Sequence, residues 1–251
     1  MRTACVFVDG ENFRRSIGDL FPTDFDRNEY LPKRAKWGEF FDWLVGKACT
    51  QSAERLRTYW YVIEQVDFYP YRLPRADRET DTLHKVLSKN RSFRDELGGL
   101  DSEARLCKMN EMVDQLKKTQ QTFENRFKGW RVIQDGIAIH HRAVEFRRAG
   151  AIRYDLFTRN LGDEKAVDVM LATDLIMLRD IYDVAVIVSG DQDFVPAVRA
   201  VKDAGKSVVN VAFRTQNGRL LPGGARRLNE ITDSSFELAH DNFKEFLGLA
   251  G

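Results

Sequence analysis

The apolar residues of this chain follow two patterns, short continuous runs and longer stretches with a three-to-four spacing. Residues 3–8 and Val184–Val188 are too short for helices and rich in β-branched residues, which predicts strands buried on both faces, as in a parallel sheet. Residues 56–62 and 207–213 predict two further strands. Trp37–Ala48 has the apolar spacing of a helix. The pattern as a whole predicts an α/β fold.

Carboxylates follow the two most apolar strands. Asp9 comes directly after the first, and Asp191 and Asp193 come after the second, in a turn before a helix. In that helix Asp193 is placed to cap the first turn, where Pro196 is tolerated. Ligands of open α/β sheets bind outside the carboxyl ends of the strands. The sequence therefore predicts a site at this edge of the sheet.

The residues that follow Asp9 add detail to this site. After Asp9, Gly10 permits a tight turn, and Asn12 can accept hydrogen bonds from the N–H groups of a following helix or orient a water.

A helix is predicted over residues 164–179, with Gly162-Asp163 as its cap. Asp168 lies on the apolar face of this helix and needs a partner there. That partner is either Lys165, one turn away, or a metal ion. Asp174 points about 240° away from Asp168 and is a weaker candidate for the site.

The pattern changes between residues 64 and 129, which predicts a helical insertion. Thr80–Leu87 has helical spacing. Residues 106–127 carry apolar side chains at three-to-four spacing over about three heptads. This second helix has two interpretations, an amphipathic helix packed on its own domain or the seam of a homodimer.

Residues 130–133 resume strand character, and residues 143–146 and 151–154 predict a β-hairpin around the sequence Arg-Arg-Ala-Gly at 147–150. The segment 140–159 holds five arginines and two acids. These arginines either line the solvated face of a ribbon or hold the phosphates of a nucleic acid. The second interpretation, extended to the loop after residue 213, predicts the RNA-binding residues Arg142, Arg147, Arg148, Arg153, Arg214 and Arg219.

Composition narrows the class of protein. With 251 residues, 43% hydrophobic and 31% charged, the chain is long enough for one sizeable α/β core. Three cysteines without paired spacing and the lack of an apolar leader predict a cytoplasmic protein with reduced thiols. No apolar run approaches the roughly 20 residues that cross a bilayer, so no membrane association is expected. A net charge of +1 neither favours nor opposes a polyanionic partner.

The predicted fold can bring Asp9, Asp168, Asp191 and Asp193 together. Carboxylates at close range repel one another and shift their pKa values unless a cation intervenes. A hard ion that prefers oxygen ligands is the natural partner, and Mg²⁺ or Mn²⁺ fits a set of ligands without Cys or His.

Three segments carry a resemblance to a known family: Val6-Phe7-Val8-Asp9-Gly10-Glu11-Asn12, Glu164-Lys165-Ala166-Val167-Asp168 and Val188-Ser189-Gly190-Asp191-Gln192-Asp193-Phe194. They resemble the signatures of the NYN domain of the PIN-like nuclease superfamily, most closely its LabA-like branch. The resemblance covers residues 3–62 and 130–213. It implies a Rossmann-like, PIN-type α/β/α sandwich with a mostly parallel central sheet. The expected organisation is a single domain over residues 1–251, with a helical insertion at about 64–129 and a C-terminal extension at about 220–251.

The resemblance also implies metal-dependent cleavage of RNA, expected to be single-stranded, at a site of four acids: Asp9, Asp168, Asp191 and Asp193. Asn12, Ser189 and Lys165 would support this site. The acid that many PIN-like enzymes carry on the helix after the second strand has no clear counterpart here. One alternative is an RNA-binding or regulatory module with little turnover. A minor alternative is a metal-dependent phosphatase, although that class needs an Asp where this chain has Glu11.

Overall fold

The computed structural model describes residues 1–25, 30–75, 77–221 and 225–249, which form a mixed α/β fold with a mostly parallel sheet. The strands are, in chain order, β1 (Arg2–Asp9), β2 (Ala53–Tyr69), β3 (Val144–Asp155), β4 (Asn160–Lys165), β5 (Val184–Val188), β6 (Ser207–Arg214), β7 (Leu220–Leu221) and β8 (Ser234–Ala239). The helices are α1 (Gly10–Leu20), α2 (Trp37–Ala48), α3 (Thr80–Leu87), α4 (Arg91–Leu97), α5 (Ser102–His140), α6 (Val167–Met177), α7 (Val195–Asp203), α8 (Ala225–Ile231) and α9 (His240–Leu247). Two short 3₁₀ helices cover Arg179–Ile181 and Gln192–Phe194.

The chain divides into two compact units. The first comprises Met1–Ile63, Trp130–Ala149 and Ala166–Gly251, and the second comprises Glu64–Gly129 and Gly150–Lys165. The strands β2 and β3 and the helix α5 each contribute residues to both units.

In the first unit β1 is the central strand. It lies between β2 and β5 and runs parallel to both, with Val8 beside Trp60 on one side and Val188 on the other. β6 pairs in parallel with β5, and β8 pairs in parallel with β6, whereas the short β7 is antiparallel. Every residue of β5 is buried, as its apolar run predicts for a strand covered on both faces.

Aromatic side chains fill much of the core of the first unit. Phe13 of α1 lies 5.3 Å from Trp60 of β2 and 5.7 Å from Phe243 of α9, measured between ring centroids. Trp37 and Phe40 of α2 join this cluster and are fully buried. The predicted helix at Trp37–Ala48 is confirmed, with its apolar face inside.

The second unit holds α3, α4, most of α5 and a hairpin. β4 pairs antiparallel with the second half of β3. Phe123 of α5 stacks on Tyr154 of β3 at a centroid separation of 3.9 Å. Met109, Val113 and Leu116 of α5 are buried within the single chain, which is the packing of an amphipathic helix on its own protein.

The strand predicted at residues 130–133 is wrong, because these residues lie inside α5. The buried positions Phe123, Trp130, Gln134 and Ile137 continue a three-to-four spacing without a break. The helix therefore extends through a locally β-prone sequence because one face of that sequence is covered.

The hairpin predicted around residues 147–150 is also wrong. β3 continues through these residues, and the chain reverses later, between Asp155 and Asn160. Asp155 stabilises that turn by accepting hydrogen bonds from the backbone N–H groups of Phe157 and Thr158.

The helix predicted from residue 164 begins three residues later, at Val167. Ala166 has a φ of 74°, a left-handed conformation that separates β4 from α6. Lys165 therefore ends a strand and does not lie one helical turn from Asp168, which was the basis of one of the two predicted partners. The predicted cap, Gly162-Asp163, also lies in β4.

Across the parts of the chain that the structure describes, no helix combines the length and the apolar character needed to cross a membrane.

Candidate metal centre

Asp9 and Ser189 leave the sheet side by side. Val8 pairs with Val188, so the residues that follow them emerge together at the carboxyl ends of β1 and β5. The Ser189 hydroxyl donates a hydrogen bond of 2.7 Å to Oδ2 of Asp9. Asp9 is only 2% exposed. The site is thus built on two paired strands, which fixes the position of its most buried carboxylate.

Asp9 is itself the N-cap of α1, because its Oδ1 accepts a hydrogen bond of 3.2 Å from the backbone N–H of Asn12. The side chain of Asn12 was the predicted acceptor, but Asn12 lies within the first turn of the helix. Gly10 also differs from its predicted role in a tight turn. A Cβ at this position would lie 2.3 Å from the carbonyl oxygen of Tyr61, so glycine is needed for the close approach of α1 to β2.

Two successive hydrogen bonds stabilise the turn after β5. The backbone N–H of Asp191 donates to the Ser189 hydroxyl at 3.1 Å, and the backbone N–H of Asp193 donates to Oδ1 of Asp191 at 2.9 Å. Asp191 therefore caps the short 3₁₀ helix, and the prediction that Asp193 is the cap is wrong. Pro196 lies in the first turn of α7, as predicted.

Asp168 occupies the first turn of α6 and is half-buried. One of its carboxylate oxygens lies within 4.8 Å of a carboxylate oxygen of Asp9. Leu171 and Leu175, farther along the helix, are fully buried, and α6 packs against β1. The apolar side chains of α6 therefore anchor the helix, while Asp168 reaches the end of β1.

The electrostatics of the four acids show that they act on one another. Burial raises the pKa of Asp9 to about 7, an effect that the hydrogen bond from Ser189 reduces and the charges of Asp168 and Asp191 increase. Burial also raises the pKa of Asp168, and the charges of Asp191 and Asp193 raise it further. All the donor groups are carboxylate oxygens, which suits a hard divalent cation.

Three of the predicted RNA-binding arginines are held by carboxylates of the protein. Arg147 forms an ion pair with Asp174, and its guanidinium lies 4.1 Å from the ring centroid of Tyr59. Arg148 forms an ion pair of 2.5 Å with Asp135. Arg214 forms an ion pair with Glu237. Both interpretations of these side chains, a solvated face or a phosphate site, omitted these partners.

The other three arginines of that prediction are exposed. Arg142 lies just before β3, and Arg219 lies in the loop after β6. Arg153 belongs to the second unit, where its guanidinium lies 5.9 Å from the ring centroid of Tyr69.

A network that includes Asp174 is a feature that sequence reasoning missed. The hydroxyl of Tyr61 donates a hydrogen bond of 2.9 Å to the Asp174 carboxylate that also binds Arg147. Burial raises the pKa of Tyr61, and the adjacent Asp174 raises it further. The only signal in the sequence was an acid on α6 about 240° from Asp168, and its partners lie in distant strands.

Residues 98–221 match the family model of the NYN domain. The chain contains an NYN domain. NYN domains belong to the PIN-like nuclease superfamily. This membership suggests that the protein is a nuclease. The matched range includes Asp168, Asp191 and Asp193 and begins after β1. It also includes residues 98–129, which were predicted to form an insertion outside the resemblance. The match does not show whether the domain belongs to the LabA-like branch of the family.

A solved structure with some likeness to this chain is that of a protein of unknown function from Vibrio parahaemolyticus RIMD 2210633. The two sequences are 16% identical, the alignment covers 94% of this chain and 92% of the other, and the TM-score is 0.42. A search of curated proteins found no match. The assignment of the NYN domain therefore depends on the family model.

Proposed function

We propose that this protein is a divalent-metal-dependent ribonuclease that hydrolyses phosphodiester bonds of single-stranded RNA. The observation that supports the proposal is the approach of the Asp168 carboxylate to the buried Asp9, next to the turn that carries Asp191 and Asp193. The parallel order of the central strands and the NYN match are consistent with the PIN-type α/β/α sandwich, which we include in the proposal.

Asp9, Asp168, Asp191 and Asp193 would hold Mg²⁺ or Mn²⁺. A bound ion of this kind lowers the pKa of water and stabilises negative charge that develops at a phosphate. The protein contributes the arrangement of the ligands. Ser189 fixes one oxygen of Asp9, and the backbone N–H of Asp191 binds Ser189 in turn, so two of the acids are positioned by one set of hydrogen bonds.

The raised pKa of Asp9 also bears on the reaction. A carboxyl with a pKa of about 7 is largely protonated in slightly acidic solution and must lose its proton to bind a cation. The metal affinity of the protein should therefore increase as the pH rises through about 7.

The test incubates labelled single-stranded RNA with the purified protein in Mn²⁺ and in EDTA. The variants are Asp9→Asn and Asp191→Asn, with Asp203→Asn as the matched control, because Asp203 is an exposed acid at the end of α7, away from the acidic turn. The expected result is cleavage in Mn²⁺ by the wild type and by the control. Cleavage should be absent in EDTA and in both site variants while the fold stays intact by circular dichroism.

Hydrolysis that continues undiminished in excess EDTA would contradict the proposal. Binding of RNA without any cleavage in Mn²⁺ would favour the alternative of a regulatory NYN module with little turnover. Retention of activity by both site variants would separate the acidic cluster from the chemistry.

A further inference from the structure

Arg227 lies beside the acidic turn. Its guanidinium donates a hydrogen bond of 2.9 Å to the side-chain oxygen of Gln192. Gln192 stands between Asp191 and Asp193 in the 3₁₀ helix. The positive charge of Arg227 is therefore bonded to the residue that separates the two acids in the sequence. No motif of the sequence had singled out Arg227.

The helix that carries Arg227 is firmly anchored. Leu228 is fully buried, and Asn229 accepts a hydrogen bond of 2.6 Å from the side chain of Asn210 in β6. At the end of α8, Lys202 donates to the carbonyl oxygen of Ile231 at 2.7 Å. These contacts fix the backbone of α8 on the core, and the hydrogen bond to Gln192 orients the guanidinium of Arg227.

The charge of Arg227 differs from that of the arginines predicted to bind RNA. Arg147, Arg148 and Arg214 are each paired with a carboxylate. Arg227 instead binds a neutral amide, and no carboxylate of the described residues forms an ion pair with it. A guanidinium that is exposed, bonded to a neutral amide and not paired with a carboxylate can bind a phosphate through two parallel N–H groups.

We propose that Arg227 binds a backbone phosphate of the RNA next to the acidic cluster, with Gln192 holding the guanidinium ready for that contact. This inference rests on the proposed function, since it assigns a substrate contact to the same site. Four acids at one place repel the polyanionic substrate, and a cation at the rim would oppose that repulsion. The Gln192 amide orients the guanidinium without neutralising it.

The chain offers a matched control in the preceding residue. Arg226 lies on the same helix, about 100° round its axis, and forms an ion pair of 3.3 Å with Glu230. Its side chain is 87% exposed. Arg226→Gln and Arg227→Gln remove the same charge from adjacent positions, so a difference between the two variants reports the position of the charge rather than its amount.

The experiment measures the binding of a short fluorescent RNA by anisotropy, with Ca²⁺ in place of Mn²⁺, over a range of salt concentrations. Arg227→Gln should weaken binding about fivefold to tenfold, whereas Arg226→Gln should weaken it by less than about twofold. The slope of log K against log salt should fall by about 0.7 in Arg227→Gln alone, as expected for one lost phosphate contact on a single strand. Arg227→Lys should keep that slope and lose part of the affinity.

Two further measurements distinguish this inference from the proposed function. The Mn²⁺ affinity, measured by calorimetry, should be the same in the wild type and in both arginine variants. In Mn²⁺, Arg227→Gln should raise KM for RNA cleavage. Absence of cleavage by the wild type, together with selective loss of RNA binding in Arg227→Gln, would reject the nuclease and keep the phosphate contact.

Equal affinities and equal salt slopes in Arg226→Gln and Arg227→Gln would overturn the inference, even if all of them cleave RNA. A wild type that binds no RNA in Ca²⁺ would overturn it as well. Thermal melts check that each variant is folded at the temperature of the binding assay.

Discussion

Burial gives the carboxyl group of Asp9 a pKa of about 7, where an ordinary aspartate has 3.8. Between these two values the folded protein holds a proton that the unfolded chain has already lost. The stability of the metal-free protein must therefore fall as the pH rises from about 4 to about 7. The contribution of Asp9 is most favourable below the unfolded pKa and is lost as the pH passes the folded pKa.

We predict that Asp9→Asn removes this part of the pH dependence. In excess chelator, the wild type should lose up to about 1.4 kcal/mol of unfolding free energy, relative to the variant, for each pH unit in that window. Urea denaturation of both proteins at several pH values from 5 to about 7.5 measures the difference. Parallel pH profiles would show that the carboxyl group of Asp9 titrates normally.

At the scale of residues, the sequence predicted the positions of the acids better than their local roles. Asp9 and Asp191 could be placed because strand ends are visible in the apolar pattern. The capping roles could not be placed, because Asp191 and Asp193 are equally suitable by type, and only the backbone geometry selects Asp191. The ion pair of Arg147 with Asp174 was hidden because 27 positions of sequence separate the two residues.

At the scale of elements, that ion pair ties α6 to the sheet. The side chains of Arg147 and Asp174 are only 21% and 16% exposed, and Tyr61 donates to the same carboxylate. Because α6 also carries Asp168, the network fixes the helix that brings Asp168 to Asp9. Breaking one member leaves the others with unpaired polar groups in a partly buried place.

We predict that Asp174→Ala destabilises the protein by about 2–3 kcal/mol and weakens Mn²⁺ binding, although Asp174 is outside the acidic cluster. A double-mutant cycle with Arg147→Ala should give a coupling energy of about 1–3 kcal/mol. The matched control is the exposed pair of Arg75 and Asp77, where Arg75→Ala should cost less than about 1 kcal/mol. Unchanged Mn²⁺ affinity in Asp174→Ala would limit the network to stability.

The buried face of α5 supports a second prediction at this scale. Val113 is 7% exposed, and Val113→Asp would bury an unpaired charge, which should cost more than about 3 kcal/mol. Gln115→Asp adds the same charge at an exposed position of the helix and is the control. Denaturation measures both, and sedimentation of the wild type tests the homodimer proposed through residues 106–127. Sedimentation of the wild type as a monomer would reject the proposed homodimer.

Elements were predictable where their periodicity was local. The helix Thr80–Leu87 and the strand Val184–Val188 have the predicted bounds. The wrong assignments, residues 130–133 and the hairpin at 147–150, are segments whose own composition favours strand or turn. In both cases contacts to distant parts of the chain override the local preference, as with the burial of Trp130 and the partners of Arg147.

At the scale of the whole molecule, the α/β class could be predicted from the apolar runs. The order of the strands in the sheet could not be predicted from them. β1 pairs with β5, which comes more than 170 residues later, and with β2. The resemblance to NYN domains supplied part of this information by implying a fold. The acidic cluster that depends on this order therefore combines residues that no local pattern connects.

The acidic cluster should affect the stability of the whole protein. In EDTA the repulsion among the four acids is present in the folded state and nearly absent in the unfolded chain. Asp191 raises the pKa values of both Asp9 and Asp168, whereas Asp193 is exposed and adds to that of Asp168. Asp191→Asn can keep the cap, because the asparagine oxygen also accepts the hydrogen bond from residue 193.

We therefore expect Asp191→Asn to raise the Tm in EDTA, and Asp193→Asn to raise it less. Mn²⁺ should reverse the order. At a free concentration of about 100 times Kd, one bound ion adds roughly 2.7 kcal/mol to the wild type and less to a variant that binds it weakly. Thermal melts of the three proteins, with Asp203→Asn as the control, give both comparisons. Identical melting of the wild type in EDTA and Mn²⁺, with lower melting of both variants in EDTA, would make these carboxylates structural acceptors. In that case the proposed metal chemistry would lose its physical basis.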